Sequence, residues 1–406
     1  MKQSKTWMLI PALAVLLLSA GCSGSGSGTN GQSEGSDAQT ASNSAVQATD
    51  LVFSDDFHAD DPQITAYETF TLTPKPAKNL QTLYNLFDSA VEQYFPNVFS
   101  AEEKKNLYRV SGEDENGENL SGLYDEMKGQ FPDDNSRVPW LLFNCEKAMM
   151  QMMPNGALQT VTGDKAYQLE NGQSGNIGMY CAAEHNTIRE RIAVPADGKL
   201  PDQTVHLMDG DISLKDACAQ MLQFLQNDFD PETGCPDLKP EIAEVWIVDF
   251  KDDISGLYFL LTSSYQGIRL DTAYSQNGIG FSYIYDNGEN LPFELQSGYA
   301  FMIEKGKFDS VMVYGTEHAQ DLSNKQEQTL KISYADAQDQ LRKEVSNLPN
   351  MLFQRAQLVY LPYGKQDEKA KQVKAFWKFT AKNETDRYTY IFYVDAETGA
   401  VDYYKY

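Results

Sequence analysis

The first 22 residues limit how much of this chain can take part in a fold. Lys2 and Lys5 give a positively charged start, residues 9–18 are apolar apart from Pro11, and residues 19–21 are small. This arrangement is typical of an export signal that is cut after the small residues. The apolar run is shorter than the about 20 residues that a permanent membrane-spanning helix needs. The sequence therefore predicts that residues 1–21 are removed as a signal peptide.

A cysteine stands directly after the predicted cut. The stretch Leu18-Ser19-Ala20-Gly21-Cys22 resembles the lipobox of bacterial lipoproteins. In that family the cysteine is acylated on its sulfur and begins the mature chain, which implies lipid attachment at Cys22 and a place on the extracytoplasmic face of the cell membrane. Each buried methylene of such a lipid adds roughly 0.8 kcal/mol of membrane affinity. The alternative is an ordinary secretory signal that happens to precede a cysteine.

The segment after Cys22 predicts a tether rather than a folded element. Residues 23–49 are rich in Gly, Ser, Asn, Gln and Thr, and residues 50–61 are acidic. A segment with so few apolar side chains cannot bury enough surface to fold. We therefore expect a flexible tether over residues 22–60 and a folded region that starts after it.

The charge of the chain excludes some classes of partner. The formal net charge is −25, and loss of Lys2 and Lys5 with the leader makes it −27. Nucleic acids and anionic membrane surfaces attract basic patches, so this balance argues against nucleic acid as a partner. Tyr (23) and Phe (20) are abundant enough to build apolar cores in the remaining residues.

Apolar spacing predicts a mainly helical segment over residues 61–155. Residues 79–94 and 140–153 carry apolar side chains at helical spacing, and Ser100 opens a short helix with a capping-box pattern. Residues 111–122 are polar and predict a loop. The methionines between residues 149 and 153 are compatible with copper ligation, although flexible core filling is the alternative that we favour.

The rest of the chain predicts an α+β fold with two related units. Strand-like runs and one main helix alternate over residues 156–284 and again over residues 285–406. The pattern Ile-Ser-x-x-Asp-Ala opens the helix in both, at Ile212 and at Ile332. We therefore expect, after the N-terminal helical segment, two units that each contain an antiparallel sheet and one main helix.

The last hairpin is the most specific local pattern in the folded region. Two apolar strands flank Asp395-Ala-Glu-Thr-Gly399, and the helix that begins near Ile332 and the strand with Trp377 precede them. Over residues 331–404 this order resembles PepSY-type domains. The resemblance implies a binding or inhibitory module of a secreted or membrane-anchored regulatory protein of Gram-positive bacteria. It is fainter over residues 211–274, where the turn is absent.

Four cysteines remain after Cys22, namely Cys145, Cys181, Cys218 and Cys235. In an oxidising compartment they are disulfide candidates, and Cys218 with Cys235 would close the shortest loop. Burial as small apolar side chains is the alternative. The spacing does not fit a zinc site, and residues 228–239 do not fit an EF-hand loop.

The sequence contains no recognised catalytic motif, so we expect no enzyme, no catalytic residues, no metal and no cofactor. Cys181 and His185 lie four residues apart, but on a predicted strand their side chains would not meet.

The resulting expectation is a non-catalytic binding or regulatory module for an envelope protein or peptide. Its partner-binding candidates are Trp377, Tyr393 and Asp395. The alternatives are an uptake lipoprotein in which exposed Trp246 and Trp377 hold a sugar or peptide, and a hydrolase with scattered carboxylates.

Overall fold

The computed structural model describes residues 50–113, 118–131, 139–145, 148–162, 187–195, 198–227, 235–249, 254–273, 291–292, 295–296, 298–306, 310–312, 320–348, 350–364, 370–385 and 388–405. The leader, Cys22 and residues 23–49 of the predicted tether lie outside these ranges, as do Cys181 and His185. The α-helices among the described residues are α1 (Leu80–Tyr94), α2 (Ala101–Leu107), α3 (Tyr124–Met127), α4 (Leu214–Asn227) and α5 (Tyr334–Glu344), the last followed by a 3-10 turn (Val345–Asn347).

Strands make up most of the described structure. In the N-terminal half they are β1 (Val52–Asp60), β2 (Ala66–Pro74), β3 (Arg109–Glu113), β4 (Asn119–Leu123), β5 (Trp140–Asn144), β6 (Met149–Met152), β7 (Leu158–Thr162), β8 (Thr187–Ala193), β9 (Thr204–Leu207) and β10 (Gly210–Ser213). They continue as β11 (Lys239–Asp249), β12 (Ser255–Tyr265), β13 (Ile268–Leu270), β14 (Thr272–Ala273), β15 (Leu291–Pro292), β16 (Leu295–Gln296), β17 (Gly298–Met302), β18 (Ser310–Met312), β19 (Gln320–Thr329), β20 (Met351–Gly364), β21 (Lys371–Asn383), β22 (Thr389–Asp395) and β23 (Val401–Lys405).

Most of these strands join one mixed sheet with two regions. The first region is antiparallel, in the order β4-β3-β5-β6-β7-β18-β17-β12-β11-β8. The second contains the antiparallel series β20-β21-β22-β23, with β2 on β21 and β19 on β2. β1 and β13 pair in parallel with β20, so β13 connects the two regions.

The prediction of an α+β fold with a helical N-terminal segment is therefore wrong, because the structure is mostly β. Strand pairing between distant segments decided the architecture. β7 pairs with β18, β12 pairs with β17, and β2 pairs with β21, so pairings cross both boundaries that were predicted at residues 156 and 285. Local periodicity carries no information about such distant partners.

Three helices predicted from periodicity are present: α1 and α4 pack on the first sheet region, and α5 packs on the second. Asn79 caps α1 by accepting from the backbone N–H of Thr82 at 2.8 Å. The apolar face of α1 is buried in the core on the first sheet region, which we call the first core. Ser333 caps α5 in the same way. Ala337 and Leu341 of α5 are buried in the core on the second sheet region, which we call the second core. Each helix buries its apolar stripe on a sheet, as an amphipathic helix must.

Three local predictions are wrong. Within residues 140–153, β5 and β6 are antiparallel strands instead of a helix, and alternate side chains are buried along both strands. Residues 111–122 contribute to the β3–β4 hairpin instead of a loop. Residues 52–60 are not loose, because they form β1 and pair with β20. A short apolar run fits a helix or a buried strand equally well. Here pairing with neighbouring strands stabilises the strand conformation.

Candidate binding groove and buried polar cluster

A groove of about 570 Å³ lies beside α2. This volume is within the roughly 300–1,000 Å³ that small-ligand sites occupy. We call it the α2 groove, and the described residues that line it are Phe99, Ser100, Glu102, Glu103, Asn106, Leu107 and Cys145. The lining combines apolar side chains, acidic side chains and one thiol.

The capping box of α2 shapes the acidic wall of the groove. The backbone N–H and the hydroxyl of Ser100 both donate to Glu103 Oε2, at 2.7 and 2.8 Å, and the Glu103 backbone N–H donates back to Ser100 Oγ at 3.2 Å. The sequence predicted this cap, and the structure confirms it. It places Glu102 and Glu103 in the first turn of α2, where the helix dipole favours negative charge.

The lysine in the middle of α2 is directed away from this wall. Lys104 Nζ donates to Asp88 Oδ1 at 2.8 Å and also bonds Glu92, and both carboxylates belong to α1. Burial alone would raise the pKa of Asp88, but hydrogen bonds from Lys104 and Tyr108 outweigh it and lower that pKa. The charge of Lys104 is therefore balanced by α1 rather than by the groove carboxylates.

Cys145 lines the same groove from the end of β5. Its backbone N–H and its thiol both donate to the carbonyl oxygen of Ala148, at 3.0 and 3.4 Å. Phe99 is buried and packs edge-on against Phe143, with ring centroids 5.4 Å apart. The apolar floor of the α2 groove is therefore continuous with the first core.

A polar cluster lies inside the protein where the end of β13 and the middle of β21 face each other across β20. Lys378 Nζ lies 2.9 Å from Asp271 Oδ1 and 2.7 Å from Asp271 Oδ2, and the Tyr393 hydroxyl donates to Oδ2 at 2.6 Å. The side chains of Lys378 and Asp271 are only 12% and 6% exposed. We call these three residues the Lys378 cluster. Ionic groups are buried in this way only when they are paired.

Glu244 is a further carboxyl group within the electrostatic reach of Lys378. Burial raises the pKa of Glu244, whereas a hydrogen bond from Trp246 and the positive charges of Arg191, Arg355 and Lys378 act to lower it. The guanidinium of Arg191 also lies over the Trp246 ring, 4.3 Å from its centroid. Desolvation dominates, so the protonated form of Glu244 is favoured relative to an exposed glutamate.

The candidate disulfide between Cys218 and Cys235 is not formed in the structure. Both residues are buried free thiols, and they belong to different cores. Burial raises the pKa of Cys218 to about 12 and also raises the pKa of Cys235. Cys145 is a free thiol as well. Cys218 and Cys235 are therefore small buried side chains of the apolar cores, which is the alternative that the sequence left open.

The three partner-binding candidates lie inside the fold. Trp377 is 1% exposed and donates from Nε1 to the Ile332 carbonyl oxygen at 2.9 Å. Tyr393 is fully buried in the Lys378 cluster, and Asp395 accepts the backbone N–H groups of residues 397 and 398 at the last turn. Because these side chains do not reach the surface, we do not propose them as contacts for a partner.

The expectation that Trp246 is exposed is also wrong, since it is 2% exposed. The methionines of β6 point to both faces of the strand, with Met150 and Met152 buried and Met149 and Gln151 partly buried. Met150 and Met152 share the buried face and belong to the core on the first sheet region, as the core-filling alternative predicts.

Sequence reasoning missed the Lys378 cluster. Lys378 stands on β21 between Trp377 and Phe379, and nothing in the sequence marks it as buried. Both faces of this strand are covered, which the alternation of polar and apolar residues does not predict. For the α2 groove, the capping box in the sequence indicated the start of α2. The sequence did not indicate that Cys145 lies beside α2, because residues 140–153 were predicted as a helix.

No family model matches this chain, and no curated protein matches it either. Among the described residues, no helix is long and apolar enough to cross a membrane. Within the same part of the chain, no three His, Cys, Asp or Glu side chains are grouped as metal ligands.

Proposed function

We propose that this chain is a membrane-anchored extracytoplasmic lipoprotein and a non-catalytic binding module for an envelope protein or peptide. We assign binding to the α2 groove. The observation that carries this proposal is the combination, in one groove, of an apolar floor at Phe99 and Leu107 with carboxylates at Glu102 and Glu103.

The chemistry of the groove favours a basic segment of a partner protein. An apolar floor with an acidic rim fits a lysine or arginine side chain, whose methylene stem is apolar and whose end is charged. The formal net charge of −25 would also steer a basic partner toward this protein. We therefore propose that the partner contributes an exposed basic and apolar peptide segment.

The proposed anchor is supported by the sequence alone. The Leu18–Cys22 stretch resembles a lipobox, and residues 23–49 supply a segment with the composition of a flexible linker. About 27 such residues would have an r.m.s. span of roughly 25–30 Å. The first described strand after this segment is β1, which pairs with β20. The proposed tether would therefore attach directly to the mixed sheet.

The binding part can be tested by site-specific photo-crosslinking on intact cells. A photoreactive residue at position 106 would lie in the groove, and one at position 208 provides the control because Met208 is 47% exposed and does not line the groove. We expect one stoichiometric protein adduct from position 106 only. The charge reversal Glu102→Lys should abolish it. No adduct at position 106, or the same adducts at both positions, would contradict the assignment.

The anchor is tested separately with Cys22→Ser. We expect this variant to leave the membrane fraction and to keep its groove. Membrane retention of Cys22→Ser would disprove lipid anchoring without affecting the groove proposal.

A further inference from the structure

The polar side chains of α2 present hydrogen-bond acceptors to the α2 groove. Asn106 Nδ2 donates to the backbone carbonyl oxygen of Glu102, one turn earlier in the helix, at 3.0 Å. The amide oxygen of Asn106 is therefore turned away from the helix backbone and can accept from a ligand. The Ser100 hydroxyl donates to Glu103 Oε2 at 2.8 Å, so its hydrogen is already used. The Glu102 carboxylate and the Asn106 amide oxygen thus favour a ligand that donates several hydrogen bonds.

The acidic wall of the groove also lacks a balancing charge in its own lining. Among the described lining residues, two are glutamates and none is a lysine or an arginine. The neighbouring Lys104 forms its ion pairs with Asp88 and Glu92 of α1 instead. A ligand that carries a positive charge would supply what this wall lacks.

The two acceptors are spaced for a planar group with several N–H donors. Glu102 and Asn106 are four residues apart in α2, and both line the groove. Side chains at this spacing share one helix face, with Cβ atoms roughly 5–6 Å apart. A guanidinium holds five N–H donors in a fixed plane and can bond two acceptors at once, whereas an ammonium is a compact point charge.

The apolar floor gives a second, independent reason to expect arginine. Phe99 and Leu107 supply this floor. A guanidinium is weakly hydrated and packs on aromatic rings, whereas an ammonium holds its water strongly. Contact with the floor therefore removes less favourable hydration from an arginine than from a lysine.

We propose that the α2 groove takes an arginine side chain of the partner, and that Glu102 and Asn106 distinguish arginine from lysine. The guanidinium would bond the Glu102 carboxylate and the Asn106 amide oxygen, and the methylene stem would lie on the floor. This inference rests on the proposed function, because it names the side chain that the same groove binds.

Peptide binding to the full-length chain tests this specificity. The chain carries Cys22→Ser so that no lipid is attached, and the probes are three fluorescein-labelled nonapeptides of leucine and serine. They differ only at the central residue, which is arginine, lysine or citrulline, a residue with nearly the shape of arginine but no charge. By fluorescence anisotropy, we expect the arginine peptide to bind about fivefold tighter than the lysine peptide and about tenfold or more tighter than the citrulline peptide.

Two variants separate the roles of the two acceptors. Glu102→Gln should weaken binding of the arginine peptide by about tenfold, because it removes a charge from the wall. Asn106→Leu should weaken the arginine peptide to the level of the lysine peptide, because an ammonium gains little from the second acceptor. The matched control is Glu126→Gln, which makes the same change at an exposed carboxylate of α3 outside the groove and should leave all three affinities unchanged. Circular dichroism checks that each variant is folded.

The outcomes distinguish this inference from the proposed function. Equal affinities for the arginine and lysine peptides, both lost in Glu102→Lys, would overturn the arginine assignment and leave a groove that binds basic side chains in general. An arginine preference that persists in Asn106→Leu would overturn the assignment of Asn106. If no peptide binds, or if Glu102→Lys leaves binding unchanged, both this inference and the binding function of the groove are overturned.

Discussion

Replacing Trp377 by phenylalanine tests the finding that this side chain is part of the core rather than a contact for a partner. Trp377 is 1% exposed, and its indole N–H donates to the Ile332 carbonyl oxygen at 2.9 Å. Its ring also packs against Tyr334, with centroids 5.5 Å apart. Trp377→Phe keeps an aromatic ring in this place but removes the N–H and part of the volume.

The expected loss has two parts. Leaving a buried acceptor without its donor costs about 1–3 kcal/mol. The smaller ring leaves a cavity, which costs about 1 kcal/mol more at roughly 24 cal/mol per Å³. We therefore expect the free energy of unfolding to fall by about 2–4 kcal/mol. The melting temperature should fall by about 3–5 °C, because the unfolding entropy of a folded part of this size is large.

The assay is urea unfolding followed by far-ultraviolet circular dichroism, because the substitution removes a tryptophan that fluorescence would report. Met208→Ala is the control, since Met208 is 47% exposed and its loss should change stability by less than about 0.5 kcal/mol. A Trp377→Phe variant as stable as Met208→Ala would refute the reasoning. Trp377 would then return as a candidate for partner contact.

Three further predictions concern the thiols, the last turn and a helix cap. In the native protein at about pH 8, iodoacetamide should modify half-buried Cys145 and spare Cys218 and Cys235. Burial keeps the thiols of Cys218 and Cys235 protonated and out of reach of the reagent. Peptide mapping measures the modification of each cysteine, and equal labelling of all three would contradict the burial of Cys218 and Cys235. Gly399→Ala should destabilise by about 1–2 kcal/mol in urea unfolding, because Gly399 has φ +76°; an unchanged midpoint would argue against this turn. Ser333→Ala should cost about 0.5–2 kcal/mol by loss of the α5 cap, whereas Ser333→Asp should retain most of the stability. Equal losses in the two Ser333 variants would exclude capping as the cause.

Local signals in the sequence determined several elements correctly. The helices α1, α2, α4 and α5 were predicted from apolar spacing and from caps, because both signals operate within a few residues. The turn at Asp395 was also predicted, since the Asp395 carboxylate bonds the next backbone amides and Gly399 adopts positive φ. These features depend on chemistry that neighbouring residues supply.

Only the tertiary structure decided which strands pair and which side chains meet. Residues 140–153 contain good helix formers, yet this segment supplies the strands β5 and β6, because they pair with each other and also with β3 and β7. Lys378 and Asp271 are far apart in sequence and meet because β13 and β21 both lie on β20. The sequence by itself determined the helix caps and the last turn. Contacts between distant residues depend on the free energy of the whole sheet, which no local pattern contains.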